Sequence, residues 1–156
     1  MSLHAIEIQI DGQFQVQAEP LRSAAQATLI HQRVAKPCEL ALVVSDDETL
    51  HALNLRHRGV DAPTDVLAFP DKTRGPFVNA PGILRYLGDV VVSFPRAEAQ
   101  AKEAGHGVQA ELQLLVVHGV LHLLGYDDST EEQRAQMWAV QAEILQTLKV
   151  EINLPT

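Results

Sequence analysis

Apolar residues recur along the chain at two different spacings, and the change from one to the other marks out its elements. Over residues 4–10 they alternate with polar ones (Ile6, Glu7, Ile8, Gln9, Ile10), which predicts a half-buried strand ending at Asp11-Gly12. Residues 20–34 instead bring Leu21, Ala24, Ala25 and Leu29 to one face at helical spacing. Residues 40–44 are a continuous apolar run, read as a strand. Ser45-Asp46-Asp47-Glu48 then has the form of an N-cap with acids in the first turn. The helix it opens carries Leu50 and Leu53 and runs to about residue 57. A short strand over 65–69 is closed by Pro70, and 71–83 holds Gly, Pro and Asn and reads as a loop. Residues 87–94 form another strand, Pro95 starts a helix to about 104, and a further helix follows from about 107. Ser129-Thr130-Glu131-Glu132 caps a last helix whose Met137, Val140, Ile144 and Leu148 form an apolar core stripe. The expected fold class is α+β: a single domain over 1–156, with a small four-stranded mixed sheet packed by five or six helices.

The helix from about 107 differs from the others. Leu112, Leu114, Leu115, Val116, Val117, Val120, Leu121, Leu123 and Leu124 make it apolar nearly all round, as expected of the central helix of a domain. Within it stand His118 and His122, four residues apart and therefore on one face, where both imidazoles can reach one metal ion. As ordinary helix residues, one would be buried and the other exposed. Gly125, three residues beyond the pair, suits a left-handed helix end that would swing Asp127 or Asp128 back toward the histidines. Two histidines, one carboxylate and an open fourth position are the usual make-up of a catalytic zinc site. Helical zinc proteases carry Glu directly after the first histidine, and here that position is Gly119, which disfavours peptide hydrolysis by that route.

Composition narrows the rest. The chain of 156 residues is 46% apolar, enough for a core without covalent staples. Cys38 is its single cysteine, so no intrachain disulfide forms and a reducing compartment fits. No signal peptide or membrane span is read. The net charge of −8 argues against a polyanionic partner, but the charge is uneven. Residues 54–102 hold seven Lys/Arg against five Asp/Glu, and the remainder five against fifteen. Either this is ordinary scatter or it is a local basic face that meets phosphate, since screening limits distant charges to about 8 Å.

Three segments in order carry a resemblance. Asn54-Leu55-Arg56-His57-Arg58-Gly59, continuing to Pro63-Thr64-Asp65-Val66-Leu67-Ala68-Phe69-Pro70, is followed by Leu87-Gly88-Asp89-Val90-Val91-Val92. Then come His118-Gly119-Val120-Leu121-His122-Leu123-Leu124-Gly125-Tyr126-Asp127-Asp128 and Met137. Over about residues 40–145 the chain resembles the YbeY family of metal-dependent endoribonucleases. The resemblance implies a zinc-dependent hydrolase of single-stranded RNA, acting in ribosomal RNA maturation and quality control with the small ribosomal subunit as partner, in the cytoplasm. A non-catalytic ribosome-associated module with a structural metal is the rival.

The chain departs from the family pattern where it matters most. The family's third zinc-binding histidine is Asp128 here, so the expected ligands are His118, His122 and Asp128. Aspartate is a competent zinc ligand, and the added negative charge favours a harder ion such as Mn²⁺. Otherwise the site is weakened, or water takes the third position. His57 in place of an aromatic and Ala68 in place of serine are smaller departures. Arg58 matches the family's arginine beside the metal, where its guanidinium fork suits phosphate. Without that context, Arg58 would be read as an ion pair to Asp61 or Asp65. Thr64 and Asp65 are expected to fix the turn into the strand. Asp127 is expected to orient the turn or a ligand, and Asp89 to support a histidine or Arg58.

Overall fold

A computed structural model describes residues 4–71, 84–150 and 152. Its elements run β1 (Ala5–Ile10), α1 (Ala18–His31), β2 (Cys38–Ser45), α2 (Asp47–Arg58), β3 (Val66–Pro70), β4 (Arg85–Ser93), α3 (Phe94–Ala104), α4 (Val108–Leu123) and α5 (Glu131–Thr147). The sheet is mixed, in the order β1-β2-β4-β3. β1, β2 and β4 are parallel, and β3 runs antiparallel to β4 at the edge. The α+β expectation with four strands holds, with five helices among the described residues. None of these helices is long and apolar enough to cross a membrane.

Side-chain alternation along the strands divides the core between the two faces of the sheet. Leu40, Leu42, Val44, Val90 and Val92 join the main cluster with α1, α4 and α5, while Val91 and Leu67 pack with Leu50 of α2 on the opposite face. α4 touches α1, α3, α5, β3 and β4, and its buried positions run around most of its circumference. It is the central helix that its apolar sequence predicted.

Local chemistry moved several boundaries. Phe94 extends the apolar run of β4 in sequence but is the first residue of α3. Ser93 ends the strand by accepting from the Arg96 N–H (3.2 Å), and Phe94 stacks on Phe14 with ring centroids 4.6 Å apart. Asp46, not Ser45, caps α2, accepting from the Thr49 N–H at 2.8 Å. β3 extends to Pro70, which an edge strand tolerates. α1 begins two residues earlier and ends three earlier than the apolar spacing indicates, with Arg33 in a left-handed turn (φ 57°). In α5 the buried face holds Met137, Gln141, Ile144 and Leu145, while Val140 and Leu148 are only partly buried against it. Most of the expected 71–83 loop lies outside the described residues.

Candidate metal centre

The imidazoles of His118 and His122 leave α4 on the same side, with their Nε2 atoms 3.0 Å apart. α4 stops at Leu123, and Gly125 (φ 104°) reverses the chain while its N–H donates to the His122 carbonyl at 3.0 Å. Only glycine adopts that conformation without strain. The Asp127 carboxylate folds onto the turn, accepting from the Asp128 N–H (2.8 Å) and the Ser129 hydroxyl (2.7 Å). Thr130 and Gln133 then close a capping box that starts α5. Asp128, fixed on both sides, sets its Oδ2 3.6 Å from His118 Nε2 and 3.5 Å from His122 Nε2.

These three atoms could hold a metal ion. A tetrahedral ion with ligands at about 2.0–2.1 Å separates them by about 3.3–3.4 Å, and the observed edges bracket that value. Proton positions agree. His122 Nδ1 lies 2.9 Å from the Tyr126 carbonyl oxygen, which only accepts, so Nδ1 carries the proton and Nε2 the lone pair. Burial lowers the pKa of His118, which favours the neutral form a metal ligand needs. The His118, His122 and Asp128 side chains are 23%, 26% and 42% exposed, so the triangle is open on one side.

It opens into a cleft of about 400 Å³ lined by Thr64–Ala68, Pro70, Gly119, Asp127 and Arg58 besides the three candidate ligands. Arg58 is the last residue of α2 and is exposed. Asn54, buried one turn earlier, donates from Nδ2 to the Ala62 carbonyl (2.9 Å) and ties the following loop down. The ion-pair alternative for Arg58 does not form among the described residues. Asp61 pairs with His51 at 2.7 Å, and Asp65 accepts from Gln100 at 3.2 Å. Thr64 and Asp65 line the cleft, and the Asp65 carbonyl accepts from the Ser93 N–H (2.9 Å), which fixes the entry to β3.

Position 119 explains the missing glutamate. A Cβ on Gly119 would sit 2.4 Å from Val90 Cγ1, where α4 packs against β4. No side chain fits there without moving a fully buried, β-branched residue. Asp89 departs from expectation: it is only half-buried and accepts from the Tyr86 hydroxyl on its own strand rather than supporting a histidine or Arg58. The groups that do support the histidines are the Tyr126 carbonyl and Gln141, whose Oε1 lies 2.6 Å from His118 Nδ1. The one sequence signal for Gln141 was a polar residue set within an apolar stripe.

Comparison with known proteins finds relatives of the chain. A family model described as Endoribonuclease YbeY matches residues 6–149. The Endoribonuclease YbeY of Chloroflexus aurantiacus is 42% identical over 147 residues, covering 94% of this chain and 96% of its own. That of Shouchella clausii is 41% identical over 153 residues, covering 91% and 93%. That of Roseiflexus castenholzii is 47% identical over 124 residues, covering 78% of each. The solution structure of a Thermotoga maritima protein, 23% identical, matches 92% of this chain and 91% of its own with a TM-score of 0.57, which speaks to the fold.

Proposed function

The chain belongs to the YbeY family, and from that membership we propose that it is a metal-dependent endoribonuclease. In this reading His118, His122 and Asp128 hold one ion and Arg58 grips the phosphate to be cleaved. The observation that carries the proposal is that Arg58 lines the same cleft as the His118–His122–Asp128 triangle. Three ligands facing an open cleft favour catalysis over a structural site, which is normally closed by four protein ligands.

When bound, the ion supplies a water of lowered pKa and a Lewis-acid contact to phosphate oxygen. The protein does the rest. The Tyr126 carbonyl and Gln141 hold the two imidazoles so that Nε2 faces the cleft. Asp128 brings a negative charge that balances part of the ion's. Arg58, held at the end of α2 and unpaired within the described protein, is free to take a phosphate through two parallel N–H donors and to offset charge in the transition state. Arg56 and His57 share the last turn of α2 with it, and the acidic remainder of the surface disfavours polyanion binding elsewhere. The substrate is single-stranded RNA, and in the cell ribosomal RNA with the small ribosomal subunit as partner, in the cytoplasm. Zn²⁺ is the ion proposed, with Mn²⁺ the alternative that an aspartate ligand favours.

The test is cleavage of single-stranded RNA and of ribosomal RNA by purified protein loaded with Zn²⁺ or Mn²⁺, with chelator and Arg58→Ala as controls. Cleavage that needs both metal and Arg58 supports the reading. Metal-loaded protein that leaves both RNAs intact overturns it in favour of the non-catalytic module.

A further inference from the structure

Gln141 lies in α5 on the buried face it shares with Met137 and Ile144, and it is only 1% exposed. Its Oε1 is 2.6 Å from His118 Nδ1, while its Nε2 has no hydrogen-bond partner. Buried amides are normally satisfied at both ends. This one commits one end to a histidine and borders a second chamber of about 250 Å³, shared with Asp65, Glu111, His118 and Trp138.

We infer that Gln141 is a positioning residue whose carbonyl keeps His118 protonated at Nδ1, so that the Nε2 lone pair faces the cleft. The neighbouring histidine needs no such residue, because the Tyr126 carbonyl is part of the backbone and cannot turn over. An amide side chain can. With its N–H toward Nδ1, His118 would carry its proton on Nε2, and over 3.0 Å that proton would go to His122 Nε2. The two histidines would then bond to each other and close the site to a cation. Which end of the Gln141 amide meets His118 thus decides whether the pair is open for a metal. The inference rests on reading His118 and His122 as ligands.

Two variants separate this role from plain packing. Gln141→Glu keeps an acceptor on a stem of the same length and, ionised, has no donor to present. Gln141→Met keeps the length and has neither. The readouts are zinc affinity, by competition with a chromophoric chelator, and the His118 Nδ1–H resonance in the zinc-loaded protein. The expected result is parent-like zinc binding in Gln141→Glu, with a downfield, slowly exchanging Nδ1–H. Gln141→Met should bind zinc about 10–100-fold more weakly, with that proton exchanging fast. A packing role predicts the reverse order, because methionine suits a buried apolar site better than a carboxylate does. Zinc affinity of Gln141→Met within twofold of the parent, or above that of Gln141→Glu, overturns the inference. If Gln141→Glu fails to fold, the comparison of Gln141→Met with the parent decides alone. A parent that binds no zinc overturns the metal reading itself, whereas a parent that binds it and is indifferent to position 141 overturns only the role of Gln141.

Discussion

In the proposed function Asp128 would hold the ion and Arg58 would grip the phosphate, and substitutions should separate the two roles. Asp128→Ala should lose stoichiometric zinc, because a site reduced to two protein ligands holds it poorly. Asp128→His should keep zinc, and Asp127→Ala should as well, since the Asp127 carboxylate is spent on the turn. Metal content of the three purified variants checks this, and equal zinc in Asp128→Ala and parent would remove Asp128 from the ligand set. Arg58→Ala should leave zinc content and folding nearly unchanged while slowing RNA cleavage about a hundred- to thousandfold. Lysine should rescue it only partly, because an ammonium lacks the planar two-point grip. Unaltered cleavage in Arg58→Ala would dismiss its catalytic role. The two candidate histidines were legible in the sequence because they fall within one helix, where spacing dictates direction, whereas spacing left Asp127 and Asp128 both open and only the family resemblance singled out Asp128. Gln141 was not, because its reach to His118 depends on how α5 lies across α4, and no local spacing encodes that.

Among the elements, α4 is held to the sheet by the absence of a side chain at Gly119. Gly119→Ala should cost about 1–3 kcal/mol, the usual range for overpacking a filled core, since its Cβ would meet Val90 Cγ1 at 2.4 Å. Adding Val90→Ala should recover part of that loss. Denaturant unfolding of both variants checks it, and a parent-like midpoint in Gly119→Ala would show that α4 can shift freely. The existence of α4, its central position and its glycine end were readable from an apolar run that covers the whole helical circumference. The strand-to-helix junction at Phe94 was not, since an apolar residue before Pro95 fits a strand end as well as a helix start. Its stacking on Phe14, 80 residues away, accompanies the helical outcome. The antiparallel sense of β3 was also beyond the pattern, because alternation fixes which face a residue takes and not which way its strand runs.

For the whole molecule, acid stability should depend partly on a link between α2 and α3. Asp47 accepts from Arg96 (2.9 Å) and from the Ser93 hydroxyl (3.0 Å), and the Arg96 hydrogen bond holds its carboxyl below the usual carboxylate range. A folded-state pKa below the unfolded value of about 3.9 gives stability that is present above that pH and lost as pH falls through the folded value. The parent should therefore lose more melting temperature between pH 5 and pH 2 than Asp47→Asn does, and equal losses would rule the link out. A different consequence follows from where the parts of the cleft originate. The three candidate ligands sit within one short stretch of chain, whereas Arg58 comes from the helix packed on the opposite face of the sheet. Contacts close in sequence form sooner than those that wait for a sheet to assemble. On refolding with zinc present, metal capture should run ahead of the return of RNA cleavage. Stopped-flow zinc uptake set against timed cleavage would show the interval, during which the chain holds its metal and cannot yet cut.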